Sequence, residues 1–269
     1  MVFCKKTPHS GKGGIFMPIK IRGLTLGEGR PKIIVPILAQ SKEEAAVRAS
    51  SLRHDDAADL IELRLDGLAE TSADAMTDCL QEVRQILGDA KPLLVTIRTH
   101  AQGGLLPLDG AGYAMRVEAL LAQGGADLLD LEFDPAAALP PALREKASAA
   151  GVYTVYSHHD FTATPPATAM TALLVAMGRA GADIAKLAVM PRTAADAAEL
   201  LTATAAAKAV LPGLPLITMS MGPLGAVTRV CGGAFGSAAT FGAVGAASAP
   251  GQPGASDLRT ALDALQKCL

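Results

Sequence analysis

The chain has no tryptophan, and only 3% of its 269 residues are aromatic. That leaves too little to build a base-stacking platform or the aromatic belts of a membrane protein. Charge is scarce and balanced, with 24 basic residues against 26 acidic ones and a net charge of −2. There is thus no electrostatic case for nucleic acid or an anionic membrane surface as a partner. Cysteine is limited to Cys4, Cys79, Cys231 and Cys268, with no C-x-x-C pair. The spacing disfavours a zinc site and a disulfide framework, and a reducing, cytoplasmic setting is expected. No apolar run free of charge and glycine is long enough to span a bilayer. The first fourteen residues are basic and glycine-rich but lack the apolar stretch of a signal peptide. Residues 1–18 are expected to be a flexible extension, with Met17 as an alternative start. Residues 19–269 are expected to be one domain.

What the chain does have is hydrophobicity and repetition. Half of its residues are hydrophobic, and short β-branched or leucine-rich runs alternate with alanine-rich stretches of helical pattern. The runs are Lys32–Leu38, Leu60–Arg64, Leu93–Arg98, Leu128–Glu132, Tyr153–Tyr156, Ile184–Val189, Leu216–Ser220 and Thr240–Val244. The helical stretches begin near Ser41, Ser72, Tyr113, Pro141, Pro166, Thr193, Ala226 and Asp257. Ser41 with Glu44 three residues on reads as a capping box. Strand–helix units recurring every ~30 residues predict a (β/α)8 barrel. An open doubly wound sheet fits less well, because the first turn, Ala39-Gln40-Ser41, has no glycine. Ile19–Leu26, ahead of the first unit, is expected to form a hairpin closing the barrel floor.

Barrel enzymes keep their chemistry at the C-terminal ends of the strands, and the polar residues gather there. Glu62 and Arg64 share one face of the second run, since strand side chains alternate. Arg98 ends the third run, Asp130 and Glu132 the fourth, and His158-His159-Asp160 the fifth. Lys186 lies inside the sixth, Ala182-Asp183-Ile184-Ala185-Lys186-Leu187-Ala188-Val189. Met219 and Met221 flank the end of the seventh, and Arg229 follows. Each has a structural reading: Glu62–Arg64 as an internal salt bridge, Asp130 as a hydrogen-bond acceptor, the histidines as a solvated pair, Lys186 as a side chain snorkelling to solvent. Their arrival at one rim favours chemistry, because inward charges cost desolvation unless they hold each other or a ligand.

A neutral lysine attacks a ketone to form an imine, and the imine acidifies the adjacent carbon. An imidazole can take that proton and then protonate a leaving hydroxyl, while arginines hold an anionic substrate. A lysine at its reference pKa is neutral in only about one molecule in a few thousand at pH 7, so a resting nucleophile needs about 4 kcal/mol of help. Burial and the positive field of Arg64, Arg98 and Arg229 are the expected sources.

Taken in order, the motifs resemble those of the type I 3-dehydroquinate dehydratases, from Ile19 to the C-terminus. The matching segments are Ile61-Glu62-Leu63-Arg64-Leu65-Asp66, Thr96-Ile97-Arg98-Thr99 with Gly103-Gly104, Ser157-His158-His159-Asp160-Phe161 and Gly181–Lys186. The longest run covers Met219-Ser220-Met221-Gly222, Gly225, Arg229, Gly236–Gly242 and Ser248-Ala249-Pro250-Gly251-Gln252. The resemblance implies a (β/α)8 barrel, often a homodimer, that removes water from 3-dehydroquinate in a syn sense without metal or cofactor. Lys186 would form the imine, His159 would move the protons and Glu62 would orient His159. Arg229 would clamp the substrate carboxylate; Arg64, Arg98, Ser248 and Gln252 would bind ring hydroxyls and close the site; Met219 and Met221 would line the pocket. His158 would be a bystander. Gln102 departs from the pattern by standing where a glutamate is common, and Pro36 and Thr228 each replace a common serine. His100–Gly112 and Ala246–Ala255 are expected to be lids. The alternatives are an imine-forming aldolase and a non-catalytic sensor of quinate-like acids.

Overall fold

The computed structural model describes residues 18–134, 141–245 and 251–268. The chain opens with an antiparallel hairpin, β1 (Ile19–Ile21) and β2 (Leu24–Leu26). Eight strand–helix units follow. The barrel strands are β3 (Lys32–Leu38), β4 (Leu60–Arg64), β5 (Leu93–Thr96), β6 (Leu128–Glu132), β7 (Tyr153–Asp160), β8 (Ile184–Val189), β9 (Leu216–Ser220) and β10 (Ala239–Phe241). The helices after them are α1 (Lys42–Leu52), α2 (Ala73–Leu87), α3 (Gly110–Gln123), α4 (Pro141–Ala149), α5 (Ala167–Arg179), α6 (Ala194–Val210), α7 (Gly222–Cys231) and α8 (Ala255–Gln266). All eight barrel strands are parallel, and β10 pairs with β3. The ring closes between β9 and β10, where Ala238 N–H donates to the Leu216 carbonyl at 2.7 Å. The expected (β/α)8 barrel is therefore the fold.

The strands close because each carries two buried faces, which is what a parallel sheet under helices requires. Outward residues such as Leu63, Val95, Leu131 and Leu187 pack against the helices in one apolar cluster. Inward residues form a second. Its lower layer is apolar: Ile34, Leu60, Leu94, Leu128, Tyr153, Ile184 and Ile217. Ile19, Ile21 and Leu26 of the hairpin bury in this same cluster. Two residues further up β4, β5, β6 and β8 the inward positions turn polar, as Glu62, Thr96, Asp130 and Lys186, and the barrel begins to hold a site.

The lower rim carries a regularity of its own. Asp59 accepts the Ile33 N–H at 2.8 Å, Asp127 that of Leu93 at 2.9 Å, and Asp183 that of Thr154 at 2.7 Å. Ser237 Oγ accepts the Thr218 N–H at 3.2 Å. In each of the four alternate gaps, a side chain just before one strand thus pins the start of the strand before it, supplying partners for backbone groups the ladder leaves over. The sequence shows it as Ala58-Asp59-Leu60, Ala126-Asp127-Leu128 and Ala182-Asp183-Ile184, a repeat missed by a reading for periodicity alone. Asp127 also binds Arg84 and Arg22, the latter in the hairpin turn.

Three strand boundaries differ from expectation, and two helices start earlier, α3 at Gly110 rather than Tyr113 and α7 at Gly222 rather than Ala226. β7 runs to Asp160, because Val155–Asp160 pairs fully with β8; polar side chains can occupy a strand when a cavity takes them. β5 ends at Thr96, and the Arg98 N–H donates to the Asp66 carboxylate at 3.2 Å instead of a neighbouring strand. The last strand is Ala239–Phe241 rather than Thr240–Val244. Its pairing with β3 stops at Ile34, two residues short of Pro36, which has no N–H to donate. At α1, Ser41 caps as expected, but the Glu44 carboxylate reaches the Gln40 N–H, one residue early. The reciprocal capping box lies at Thr193 and Asp196.

Candidate active site

A cavity of about 260 Å³ opens at the C-terminal ends of the strands. Glu62, Arg64, Arg98, His159, Lys186, Met219, Met221, Arg229 and Gln252 all line it. Ser248 and the first half of the second expected lid, residues 246–250, lie outside the described residues. Lys186 comes from the middle of β8, 3% exposed, and so does not snorkel to solvent. Its Nζ stands 3.1 Å from Asp130 Oδ2, 3.4 Å from Glu62 Oε1 and 4.8 Å from the centre of the Phe241 ring.

The charges around it are balanced, which corrects the expectation of a positive field bearing on Lys186. Arg64 makes a two-pronged pair with Asp66, at 2.8 and 2.7 Å. Arg98 faces Asp130 at 2.9 Å and Glu132 at 3.0 Å. Asp130 is wholly buried at 0% exposure and also accepts from Ser157 Oγ at 2.5 Å. Burial alone would raise the Asp130 carboxyl; Arg98, Lys186 and Ser157 together hold it below the usual carboxylate range. Asp130 is thus the hinge of the network, touching Lys186 directly.

Arg229 is the exception. It comes from α7, is 2% exposed, and no carboxylate among the described residues pairs with it. Its Nη1 rests 3.5 Å from Met219 Sδ and its Nε has no partner. Burial pushes it down to about 10. A buried guanidinium without a counter-ion at a cavity wall is a site for an anion.

The two histidines separate by strand alternation. His158 points to the far side of the sheet, with Nδ1 3.2 Å from the Phe133 carbonyl oxygen. His159 points into the cavity, where burial, then Arg98, Lys186 and Arg64, push it well below 6.5. It is therefore a neutral base at neutral pH. Glu62 was expected to orient it, but the Glu62 carboxylate is on Thr96 Oγ1 at 2.9 Å and on Lys186. The side chain at the His159 ring is Gln102, whose Oε1 lies 3.1 Å from Nδ1 and 3.1 Å from the His159 N–H. Gln102 sits in a short 3-10 turn, His100–Gln102, at the start of the first expected lid. That loop is tied down: Gly104 N–H donates to the Thr99 carbonyl at 2.8 Å, and His100 N–H to that of Leu106 at 2.9 Å. Gly104 must be glycine, because a Cβ there would meet the Arg98 carbonyl oxygen at 2.0 Å. Of the second loop, Gln252 Nε2 donates to the Gly242 carbonyl at 3.3 Å.

Asp66 and Gln102 are the site residues that sequence reasoning undervalued. Asp66 ends the Glu62–Asp66 motif and joins Arg64, the Arg98 N–H and the Leu105 N–H. Its place after a strand was visible, but not the three elements that meet there.

A family model described as Type I 3-dehydroquinase matches residues 33–268. The chain is 41% identical over 256 residues to a 3-dehydroquinate dehydratase of Bacillus licheniformis, an alignment covering 93% of this chain and 98% of that one. It is 40% identical over 250 residues to the corresponding protein of Salmonella paratyphi B, covering 93% and 98%. Among solved structures, it is similar to a type I 3-dehydroquinate dehydratase from Clostridium difficile holding covalently modified comenic acid. The TM-score is 0.87 at 33% identity, with 94% of this chain and 100% of that chain covered. The Enterococcus faecalis structure gives 0.83 at 37%, covering 92% and 99%.

Proposed function

The chain belongs to the type I 3-dehydroquinase family, the Schiff-base class of 3-dehydroquinate dehydratases, and from that premise we propose how its residues divide the reaction. The reaction is the dehydration of 3-dehydroquinate to 3-dehydroshikimate. The observation that carries the assignment is one cavity holding a buried Lys186, a neutral His159 and an Arg229 that has no carboxylate partner among the described residues.

Arg229 takes the substrate carboxylate, the only anion the substrate brings, and so gains the partner it lacks. Lys186 passes a proton to a carboxylate in reach, Asp130 or Glu62, and its Nζ attacks the C3 ketone; the carboxylate returns that proton to the carbinolamine hydroxyl, which leaves as water, and a protonated imine remains. The imine withdraws electrons from C2, and His159 Nε2 takes the C2 proton. The resulting enamine expels the C1 hydroxyl, which leaves as water with the proton returned by His159. Hydrolysis of the conjugated imine then frees Lys186. Asp130 holds Lys186 and Arg98 in fixed relation, so little reorganises during these steps. Arg64, Arg98, Ser248 and Gln252 bind ring hydroxyls, and Met219 and Met221 form the apolar wall beside the imine. The aldolase and sensor alternatives give way to the family.

We further propose a homodimer, for which Leu224, Val227 and Phe235 offer exposed apolar surface, and a cytoplasmic setting, consistent with free Cys79, Cys231 and Cys268. Sedimentation at micromolar concentration that shows only monomer would overturn the dimer. The central test is trapping: 3-dehydroquinate with borohydride should leave a reduced adduct on Lys186, read by mass spectrometry. Without borohydride, ultraviolet absorbance of the conjugated product should grow. No adduct with full turnover would sink the imine assignment.

A further inference from the structure

The His159 ring and its partner settle a protonation state. A backbone N–H only donates, so the Gln102 atom 3.1 Å from the His159 N–H is the amide oxygen. The same oxygen lies 3.1 Å from Nδ1. Nδ1 therefore carries the proton, and Nε2 is left with its lone pair. The Phe161 ring stacks beside the imidazole at 6.4 Å between centres, and Phe161 in turn covers Gly103, where a Cβ would meet that ring at 2.1 Å. The Gln102–Gly103 turn and the Phe161 ring thus fix the imidazole from two sides.

The partner is uncharged, and that has a consequence. The charged groups that share the cavity with His159 are Glu62 and Arg64 from β4, Arg98 beyond β5, Lys186 from β8 and Arg229 from α7, with Asp130 and Glu132 of β6 behind Arg98; His158, next in the strand, points to the far side of the sheet. The carboxylates are spent on Thr96, Arg98, Thr99 and Lys186; none is hydrogen-bonded to the imidazole. We propose that Gln102 is a positioning residue that holds His159 in the Nδ1–H tautomer through a neutral acceptor, so that the imidazolium formed in turnover has no anionic partner and returns its proton readily. Aspartate or glutamate in this place would give a stronger base and a weaker acid. The glutamine favours the second proton transfer, to the departing hydroxyl. The inference rests on the reading of His159 as the proton carrier.

The test compares wild type, Gln102→Glu and Gln102→Leu by the pH dependence of kcat/KM and kcat. Gln102→Glu should move the acidic limb of kcat/KM upward by about one pH unit or more, because an adjacent carboxylate favours the charged imidazole. Gln102→Leu should lower kcat by about tenfold or more with KM little changed, because the ring loses its anchor. A Gln102→Glu limb that coincides with wild type overturns the proposal, as does wild-type kcat in Gln102→Leu. Should Gln102→Leu fail to fold, the nearly isosteric Gln102→Glu decides alone. Borohydride trapping on each variant keeps the two readings apart. An adduct on Lys186 with an unmoved limb defeats the Gln102 role alone, whereas no adduct in wild type defeats the imine assignment.

Discussion

Replacing Arg229 by methionine should make the resting protein more stable and nearly inactive. The guanidinium is 2% exposed, has no carboxylate partner among the described residues, and is pushed down by burial to about 10. At about 1.4 kcal/mol for each tenfold, holding the charge there costs about 3 kcal/mol. Methionine has similar length, carries no charge and suits the contact with Met219. Part of the cost returns as strain and lost packing, so a net gain of about 1–3 kcal/mol is expected. Urea unfolding should show a higher midpoint at an unchanged slope, and the melting temperature should rise by about 2–4 °C for each kcal/mol. The same change removes the clamp for the substrate carboxylate. Loss of a buried charge-assisted pair costs about 2–5 kcal/mol, or roughly thirtyfold to several thousandfold in kcat/KM. The product, added at saturation, should stabilise wild type but not the variant. A variant that is less stable at unchanged slope would refute the account of Arg229 as an uncompensated charge. An unchanged KM would refute its role as the clamp.

Two further outcomes follow from other parts of the barrel. Asp127→Ala should cost about 2–4 kcal/mol in urea unfolding, since it strands the Leu93 N–H and removes the carboxylate that Arg84 and Arg22 share, while kcat stays near wild type because these groups lie at the end of the barrel away from Lys186; a large fall in kcat with intact stability would contradict that separation. His159 contributes to the pH dependence of stability. Its folded state resists protonation well below 6.5, so the unfolded chain binds the extra proton first, and stability falls as pH drops below about 6.5 by up to about 1.4 kcal/mol per unit. His159→Asn should flatten that slope relative to wild type, and an identical slope in the two proteins would exclude the buried neutral histidine.

Much of the site was legible because strand alternation is a local property. Glu62 and Arg64 are two residues apart on a single strand, so their common inward face follows from the chain itself. Lys186 was conspicuous for being a charge inside a run apolar on both faces. The partners were not legible in the same way. Which carboxylate neutralises which cation depends on the register between β4, β5, β6 and β8, brought together across more than a hundred residues, as for Lys186 with Glu62. Glu62 was expected beside the His159 ring for its strand position, but its carboxylate lies on Thr96 and Lys186 and the hydrogen bond to the ring comes from Gln102, because the path of the Thr99–Leu106 loop decides which side chain reaches it.

The sequence by itself determined the strand–helix alternation, the closed parallel barrel and the set of residues at its catalytic rim, because these rest on period, length and residue type. The tertiary structure alone decided that Arg64 and Arg98 are neutralised while Arg229 is not, that Asp130 joins Lys186 to Arg98, and that His159 leans on an amide. Those are matters of distance between buried side chains on different strands, where a shift of an ångström decides whether a charge has a partner.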